Sequence, residues 1–160
     1  MDKQTRQQLI EAYKDGYRVV AEALTGATDA ELDAVPGEGK WSARQIVHHL
    51  ADSEMTSAIR LRLLIASPNP AIVGYDQEEF ARKLYYTDRP IEASLDAFNA
   101  ARRSTAEILD RMSEAEWLRE GTHNEHGRYT VLKWLEIYAM HAHGHADQIL
   151  AARAAGRHGA

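Results

Sequence analysis

The sequence predicts an all-α protein, a four-helix bundle whose long helices are joined by short helical turns. Four segments repeat apolar residues at the three- and four-residue spacing of an amphipathic helix. No segment alternates apolar and polar residues between hairpin-turn residues, as the strands of a sheet would. With 160 residues the chain can bury one hydrophobic core, so we predict a single domain over residues 1–155 and a flexible tail over residues 156–160.

The first long helix is predicted to run from about Lys3 to Leu24. Its apolar stripe consists of Leu9, Tyr13, Tyr17, Val20 and Leu24. In the linker that follows, Thr28 and Glu31 have the spacing of a capping box, in which each side chain accepts a hydrogen bond from the other residue's backbone N–H. They predict one short helical turn before Pro36 and Gly37 interrupt the chain.

The second long helix is predicted to follow Ser42 and to continue to about Ala66. Ser42 and Gln45 fit a capping box at its start. Its inward stripe contains Ile46, His49, Leu50 and Ser53, and the helix continues through Ile59 and Leu63. Pro68 and Pro70 end this helix, because proline cannot continue it.

Three further helical segments are predicted before the last long helix. Asp76 is placed to cap a short turn over residues 77–82. The third long helix is predicted to begin near Pro90, since proline is tolerated in a first turn. Its buried stripe consists of Leu95, Phe98, Ala101, Thr105, Ile108 and Met112. Ser113 and Glu116 fit another capping box and predict one more short turn.

The fourth long helix is predicted to follow a polar surface loop over residues 121–129. Thr130 is placed to cap it, and Gly156 is predicted to end it as the C′ residue. At about 1.5 Å per residue the helix would be about 40 Å long. Its inward stripe consists of Val131, Trp134, Leu135, Tyr138, His141, Ala142, His145, Ile149 and Ala152.

The composition argues against several functional classes. The net charge is −5 and the Lys and Arg residues are scattered, whereas a nucleic-acid-binding protein needs a concentrated basic surface. The chain has no cysteine, so any metal must be held by His, Asp or Glu. No apolar run is long enough to span a bilayer, and the first residues lack the apolar stretch of a signal peptide. We therefore expect a cytoplasmic protein with neither nucleic acid nor a membrane as its partner.

Three histidines lie on the inward stripes, where leucine would be usual. His141 and His145 are four residues apart, so their side chains share one face of the fourth helix. His49 lies on the stripe of the second helix. Burying two imidazoles costs desolvation unless each finds a partner, and one metal ion would serve both. Three histidines would hold a divalent ion and leave a position open for water, as in catalytic zinc sites.

The other histidines are not assigned to a metal. His48 lies one step off the stripe and is predicted to be a neighbour of the site. His143 lies about 200° around the helix from His141, at about 100° per residue, and is predicted to be solvated. The remaining three, His123, His126 and His158, lie in the predicted loop or tail. A single buried histidine is more often a hydrogen-bonded core residue, so a bundle without metal stays an alternative.

Asp52 and Gln148 are candidates to support the ligands, because each lies three residues after one of them. Ligand histidines usually donate their second N–H to such an acceptor. Asp52 fits an ordinary surface carboxylate equally well, and Glu54 and Asp147 are predicted to be solvated. No catalytic residue is assigned beyond a metal-bound water. Because ligand imidazoles must be neutral, we expect metal affinity to fall as the pH drops through the region near 6.

Residues 39–53 of the second helix and residues 141–149 of the last helix form a specific combination of motifs. The segments that accompany them are residues 69–72, 74–76 and 124–127. Together, these segments resemble the DinB-like superfamily over nearly the whole chain from about residue 35. The resemblance is closest to its YfiT-type branch, which is known as metal-dependent hydrolases and includes bacillithiol transferases.

The resemblance implies a bundle with up-up-down-down connectivity, often assembled as a homodimer. It implies a zinc or nickel ion bound by His49, His141 and His145, the same residues that the helical spacing selects. One departure is that Gly144 and Ala146 flank His145, where the branch tends to carry adjacent histidines. We expect Gly144 to loosen the helix by up to about 1 kcal/mol relative to Ala, and to enlarge the space beside the metal.

The sequence therefore predicts a metal-dependent enzyme with a three-histidine site. By analogy with the branch, it would be a low-molecular-weight thiol S-transferase or a hydrolase, acting on a small molecule, with thiol transfer slightly preferred. The alternative is a non-catalytic helical bundle that binds a metal or dimerises.

Overall fold

The computed structural model describes residues 1–158, which form four long helices, three short helices and a small sheet. In chain order the elements are α1 (Lys3–Leu24), α2 (Asp29–Asp33), α3 (Ala43–Ala66), β1 (Ala71–Ile72), α4 (Gln77–Lys83), α5 (Glu92–Leu109), α6 (Glu114–Trp117), β2 (Glu120–His123), β3 (Gly127–Thr130) and α7 (Val131–His158). The predicted four-helix bundle is confirmed, with α1, α3, α5 and α7 as its long helices. No helix in these residues has both the length and the apolar character that crossing a membrane requires.

Side chains cap several helices at the starts that the sequence predicted. Capping boxes at Thr28, Ser42 and Ser113 begin α2, α3 and α6. Asp76 accepts hydrogen bonds from two backbone N–H groups at the start of α4, and Thr130 accepts one at the start of α7. Each of these oxygens satisfies backbone donors that the first helical turn leaves without partners.

Helix α5 begins at Glu92, just after residues 88–90, near which its start was predicted. The backbone before it is held by other elements, because the carbonyl oxygen of Arg89 accepts hydrogen bonds from the side chains of His48 and Arg44. That carbonyl is therefore anchored to α3 before α5 begins.

Helix α7 continues to His158, so Gly156 lies inside it and is not its C′ residue. A Cβ atom at Gly156 would lie 2.9 Å from the Cβ of Ala34 and 3.0 Å from the Cα of Glu31. The glycine thus allows α7 to pack closely against α2. Residues 159 and 160 of the predicted tail lie outside the described residues.

The prediction of a surface loop over residues 121–129 was wrong, because this segment forms most of a β-hairpin. Strand β2 pairs antiparallel with β3, and β1 pairs parallel with β2, which gives the sheet order β1-β2-β3. Gly127 has φ 69° after the turn at residues 124–126, as is typical of a three-residue hairpin loop. The strands have at most four residues, too few for a clear alternation pattern.

The directions of the long helices differ from the expected up-up-down-down order. Helix α1 runs parallel to α7, α3 runs parallel to α5, and the two pairs are antiparallel, so the order is up-down-down-up. The parallel direction of α1 and α7 follows from the contacts Ala12–His143 and Ala23–Arg153. That of α3 and α5 follows from His48–Ser94 and Glu54–Arg102. The antiparallel direction of α3 and α7 follows from Ser57–Trp134 and His49–His145. The connection that runs back along the bundle is thus the one between α3 and α5, which contains β1 and α4.

Glu54, predicted to be solvated, lies in the core and forms a buried ion pair. Nη1 of Arg102 donates to Oε2 of Glu54 at 2.5 Å, and the two side chains are 2% and 1% exposed. The hydroxyl of Tyr13 also donates to Glu54, and Nη2 of Arg102 donates to the carbonyl oxygen of Tyr138 at 3.0 Å. These hydrogen bonds join all four long helices, just beside the predicted metal ligands.

Candidate metal centre

The antiparallel helices α3 and α7 bring the three predicted ligands together. The ring centroids are 5.4 Å apart for His49 and His141, 4.8 Å for His49 and His145, and 4.5 Å for His141 and His145. One nitrogen from each ring lies within 4.8 Å of the other two. We call His49, His141 and His145 the histidine triad.

The triad has the donor atoms and the spacing that a divalent ion needs. The Nε2 atoms of His141 and His145 are 3.2 Å apart. Two nitrogens bound to one tetrahedral zinc ion at about 2.0–2.1 Å would be about 3.3 Å apart, so these two atoms fit a shared ion with little movement. No carboxylate among residues 1–158 joins the group. An ion held here would therefore keep at least one position open.

Gln148 orients one of the three rings. Nδ1 of His145 lies 2.8 Å from Oε1 of Gln148. An amide oxygen only accepts hydrogen bonds, so Nδ1 carries the proton and Nε2 keeps its lone pair. Gln148, which the spacing predicted as a supporting residue, thus contacts the ring nitrogen of His145 that points away from the other two histidines.

Asp52 does not contact His49. Its Oδ2 accepts a hydrogen bond of 2.5 Å from the hydroxyl of Tyr86, so the carboxylate is already engaged. Nδ1 of His49 and Nδ1 of His141 are buried and have no hydrogen-bond partner within residues 1–158. Buried nitrogens without partners make a charged imidazole costly at both positions.

Burial keeps the triad neutral. It lowers the pKa of His49 to about 3 and that of His141 to about 2, and the neighbouring His145 adds to both effects. Burial also lowers the pKa of His145, although the hydrogen bond to Gln148 opposes this. Neutral imidazoles bind a metal without first losing a proton. We therefore expect the fall in metal affinity at lower pH than the region near 6 that the sequence suggested.

The same pKa values predict that the metal-free protein loses stability in mild acid. In the unfolded chain a histidine takes up a proton near pH 6.5, whereas folded His49 and His141 stay neutral down to about pH 3. The free energy of unfolding should thus fall as the pH drops from 6.5, by up to about 1.4 kcal/mol per pH unit for each histidine. Urea unfolding of metal-free protein at several pH values measures the slope. A His141→Leu variant should show a smaller slope, and an unchanged slope would contradict the assignment.

Two histidines beside the triad in sequence contribute to packing. His48 is buried, Nε2 donates to the carbonyl oxygen of Arg89 at 3.1 Å, and Nδ1 lies 2.7 Å from the hydroxyl of Ser94. Neither nitrogen has a free lone pair for a metal. His143 was expected to be solvated, but it is half-buried and donates to the carbonyl oxygen of Ala12 at 3.0 Å. That prediction was wrong because α1 packs against this side of α7.

Two cavities adjoin the triad, and each touches different members of it. One of about 250 Å³ is lined by His49, His141 and side chains of the β2–β3 hairpin, and we call it the hairpin cavity. The other, of about 470 Å³, is lined by His145, Gln148 and Trp41, and we call it the Trp41 cavity. The triad is therefore bordered by space for a small molecule beside His145 and also beside His49 and His141.

The hairpin cavity contains side chains that sequence reasoning did not assign to a site. They are Arg60, His123 and Tyr138. His123 was expected on a surface loop, whereas β2 places it inside, where it is 4% exposed. The signal that could have revealed it is Gly127, whose position after a short polar turn is typical of a hairpin.

Gly144 does not enlarge the site, because it lies on the exposed side of α7 and an added Cβ would meet no atom within 4 Å. We therefore expect Gly144→Ala to raise the free energy of unfolding by up to about 1 kcal/mol, through the helix preference of alanine. Urea denaturation measures this change, and zinc titration should show an unaltered affinity. A loss of stability or of zinc affinity would contradict the placement of Gly144.

Comparison with known proteins places this geometry in a family. The model of the DinB superfamily matches residues 12–149. An Oceanobacillus iheyensis protein named "Putative metal-dependent hydrolase" is 35% identical over 140 residues, which cover 88% of this chain and 81% of that protein. A Bacillus mycoides protein with the same description is 28% identical over 144 residues, 90% of this chain and 83% of that protein.

A solved structure agrees with the sequence matches. YfiT from Bacillus subtilis, described as "a probable metal-dependent hydrolase with an unusual four-helix bundle topology", superimposes with a TM-score of 0.90 at 26% identity. The superposition covers 99% of this chain and 90% of YfiT. The chain belongs to the DinB superfamily.

Proposed function

We propose that the protein binds one divalent transition-metal ion, zinc or nickel, through His49, His141 and His145, and that it is a metal-dependent enzyme acting on a small molecule. The observation that carries this proposal is the convergence of three neutral imidazoles beside two cavities, with no carboxylate from residues 1–158 joining them. A closed structural zinc site usually has four protein ligands, whereas catalytic sites keep a position open. The names of the relatives support the same reading.

The roles of this chain's residues follow from their contacts. An ion at the triad would act as a Lewis acid on a water molecule, a thiol or a carbonyl group. Gln148 holds His145 with its Nε2 lone pair free for the metal. The buried pair of Glu54 and Arg102 fixes α3 against the other long helices close to His49. These contacts would hold three neutral nitrogens in place for the metal.

Within this class, we propose transfer of a low-molecular-weight thiol to an electrophile, with hydrolysis as the alternative. Two cavities support transfer, because two reactants can then reach the triad separately, one beside His145 and one beside His49 and His141. Hydrolysis needs only one organic substrate, since water is the second reactant.

The contrast between the two reactions gives the test. Zinc-loaded protein would be incubated with a panel of small electrophiles, with and without a cellular thiol such as cysteine, and consumption of the electrophile would be followed. The transfer proposal predicts saturable consumption only when the thiol is present. Consumption at an equal rate without thiol would establish hydrolysis instead, and a His49→Ala variant serves as the inactive control for both.

We propose in addition that the protein forms a homodimer. Met55, Ile59 and Leu63 support this, because they repeat at four-residue intervals on α3 and are 43%, 58% and 38% exposed. Exposed apolar stripes of this kind mark protein interfaces. Sedimentation velocity should show a dimer for the natural chain and a monomer for Ile59→Lys; a monomeric natural chain would contradict the proposal.

A further inference from the structure

The hairpin cavity gathers hydrogen-bond donors beside two members of the histidine triad. Besides His49 and His141, it is lined by Arg60, His123 and the aromatic side chains Tyr75 and Tyr138. With about 250 Å³ it is smaller than the roughly 300–1,000 Å³ of pockets for drug-sized ligands. It therefore suits a compact group rather than a large one.

His123 lies close to Glu125 and His126, but these three residues do not form a second metal site. Their potential ligand atoms lie within 4.8 Å of one another. However, Nδ1 of His123 accepts a hydrogen bond of 3.1 Å from the backbone N–H of Glu125. The neutral ring must then carry its proton on Nε2, and neither nitrogen has a free lone pair. His123 thus brings an N–H donor to the cavity.

Arg60 adds a positive charge to the same wall. Its Nη1 donates to the hydroxyl of Tyr138 at 3.2 Å, and its Nη2 donates to the carbonyl oxygen of Val73 at 2.6 Å. Nε is buried and has no partner within residues 1–158. A guanidinium has five N–H groups, so these two hydrogen bonds fix its position while other N–H groups can still donate to a ligand. The positive charge of Arg60 also contributes, after burial, to lowering the pKa of His123.

The carboxylate in this wall belongs to Glu125, which is 55% exposed. Water screens a charge with that exposure. The charge of Arg60 is less screened, because its side chain is partly buried and carries a buried nitrogen. The positive charge of Arg60 therefore outweighs the negative charge of Glu125 in the inner part of the cavity, which favours the binding of an anion.

We propose that Arg60 and His123 bind a carboxylate group of the substrate, while the triad acts on another part of the same molecule. This inference rests on the proposed function, because it names the substrate class of that site. A planar guanidinium beside an imidazole N–H is well matched to a carboxylate, which accepts charge-assisted hydrogen bonds from both. The substrate is accordingly a small carboxylic acid.

The test compares acetate with acetamide, which have the same shape and differ in charge. The full chain, freed of metal and of chelator, would be titrated with each probe while NMR follows the Nε–H signal of Arg60 and the ring signals of His123. We expect acetate to shift these signals and to bind at least tenfold more tightly than acetamide. Equal binding of both probes, or no shift with acetate, would overturn the proposal without any variant.

Two variants and a control refine the test. Arg60→Gln should weaken acetate binding about tenfold. His123→Asn keeps an acceptor for the N–H of Glu125 but lacks the Nε2 donor, so it should weaken binding while the hairpin stays intact. Arg128→Gln removes an exposed charge from the same hairpin, outside the cavity, and should bind acetate as the natural chain does. Acetate binding that is the same in all three variants would overturn the proposal.

Repeating the titration with zinc-loaded protein separates the two proposals. Arg60-dependent acetate binding without any zinc binding would refute the metal site and leave the carboxylate site standing. Zinc binding without Arg60-dependent acetate binding would refute the carboxylate site and leave the metal site standing.

Discussion

Replacing His141 with alanine is expected to weaken zinc binding about a thousandfold. Apparent binding free energies of structural zinc sites with four protein ligands are about 10–16 kcal/mol, so one ligand contributes up to about 4 kcal/mol, which corresponds to about a thousandfold in affinity. The ring centroid of His141 lies 5.4 Å from that of His49 and 4.5 Å from that of His145, so its loss leaves only two imidazoles for the ion. Competition with a chromophoric chelator measures the zinc affinity of each protein.

His143→Ala is the matched control for this prediction, because His143 lies on the same helix and contacts α1 instead of the triad. Its zinc affinity should equal that of the natural chain. An equal loss of affinity in both variants would indicate general damage to α7. Unchanged affinity in His141→Ala would contradict the triad as the metal site.

Replacing Arg102 with methionine is expected to lower the free energy of unfolding by about 3–5 kcal/mol. The substitution leaves the Glu54 carboxylate buried without its cation, and an uncompensated buried charge is among the costliest defects in a core. It also removes the hydrogen bonds from the guanidinium to the carbonyl oxygens of Tyr13 and Tyr138. Urea denaturation at neutral pH measures the change.

Arg103 gives a control for this substitution, since it is the next residue on α5 and is exposed. Arg103→Met should alter the free energy of unfolding by no more than about 0.5 kcal/mol. If Arg102→Met cost as little as Arg103→Met, the buried pair would not hold the bundle together. A loss restored by adding Glu54→Leu would support the pair as the cause.

Local signals in the sequence were enough to predict the long helices and to select the three histidines of the triad. Helical spacing selects His49, His141 and His145, because a seam of an amphipathic helix normally carries only apolar residues. The capping residues Ser42 and Thr130 are equally local, since their oxygens bond to backbone N–H groups three residues away. These features depend on a few neighbouring residues, and the structure contains them where the pattern indicates.

Features that depend on distant partners could not be predicted in this way. Glu54 was expected in solvent because its partner Arg102 is 48 residues away in sequence. Asp52 was a candidate either to support His49 or to be an ordinary surface carboxylate, but its carboxylate accepts a hydrogen bond from Tyr86. His123 was assigned to a loop because four-residue strands leave little pattern. The helix directions likewise depend on which connection runs back along the bundle. The spacing of apolar residues within one helix does not indicate the direction of the next helix.

The most direct test of the metal site is elemental analysis of the natural chain, purified without a histidine tag and after reconstitution with zinc or nickel. Our account predicts about one transition-metal ion per chain, retained on dialysis in the natural chain and lost in His49→Ala. A natural chain that holds no metal after reconstitution with either ion would contradict the account, and the three histidines would then be buried core residues of a helical bundle.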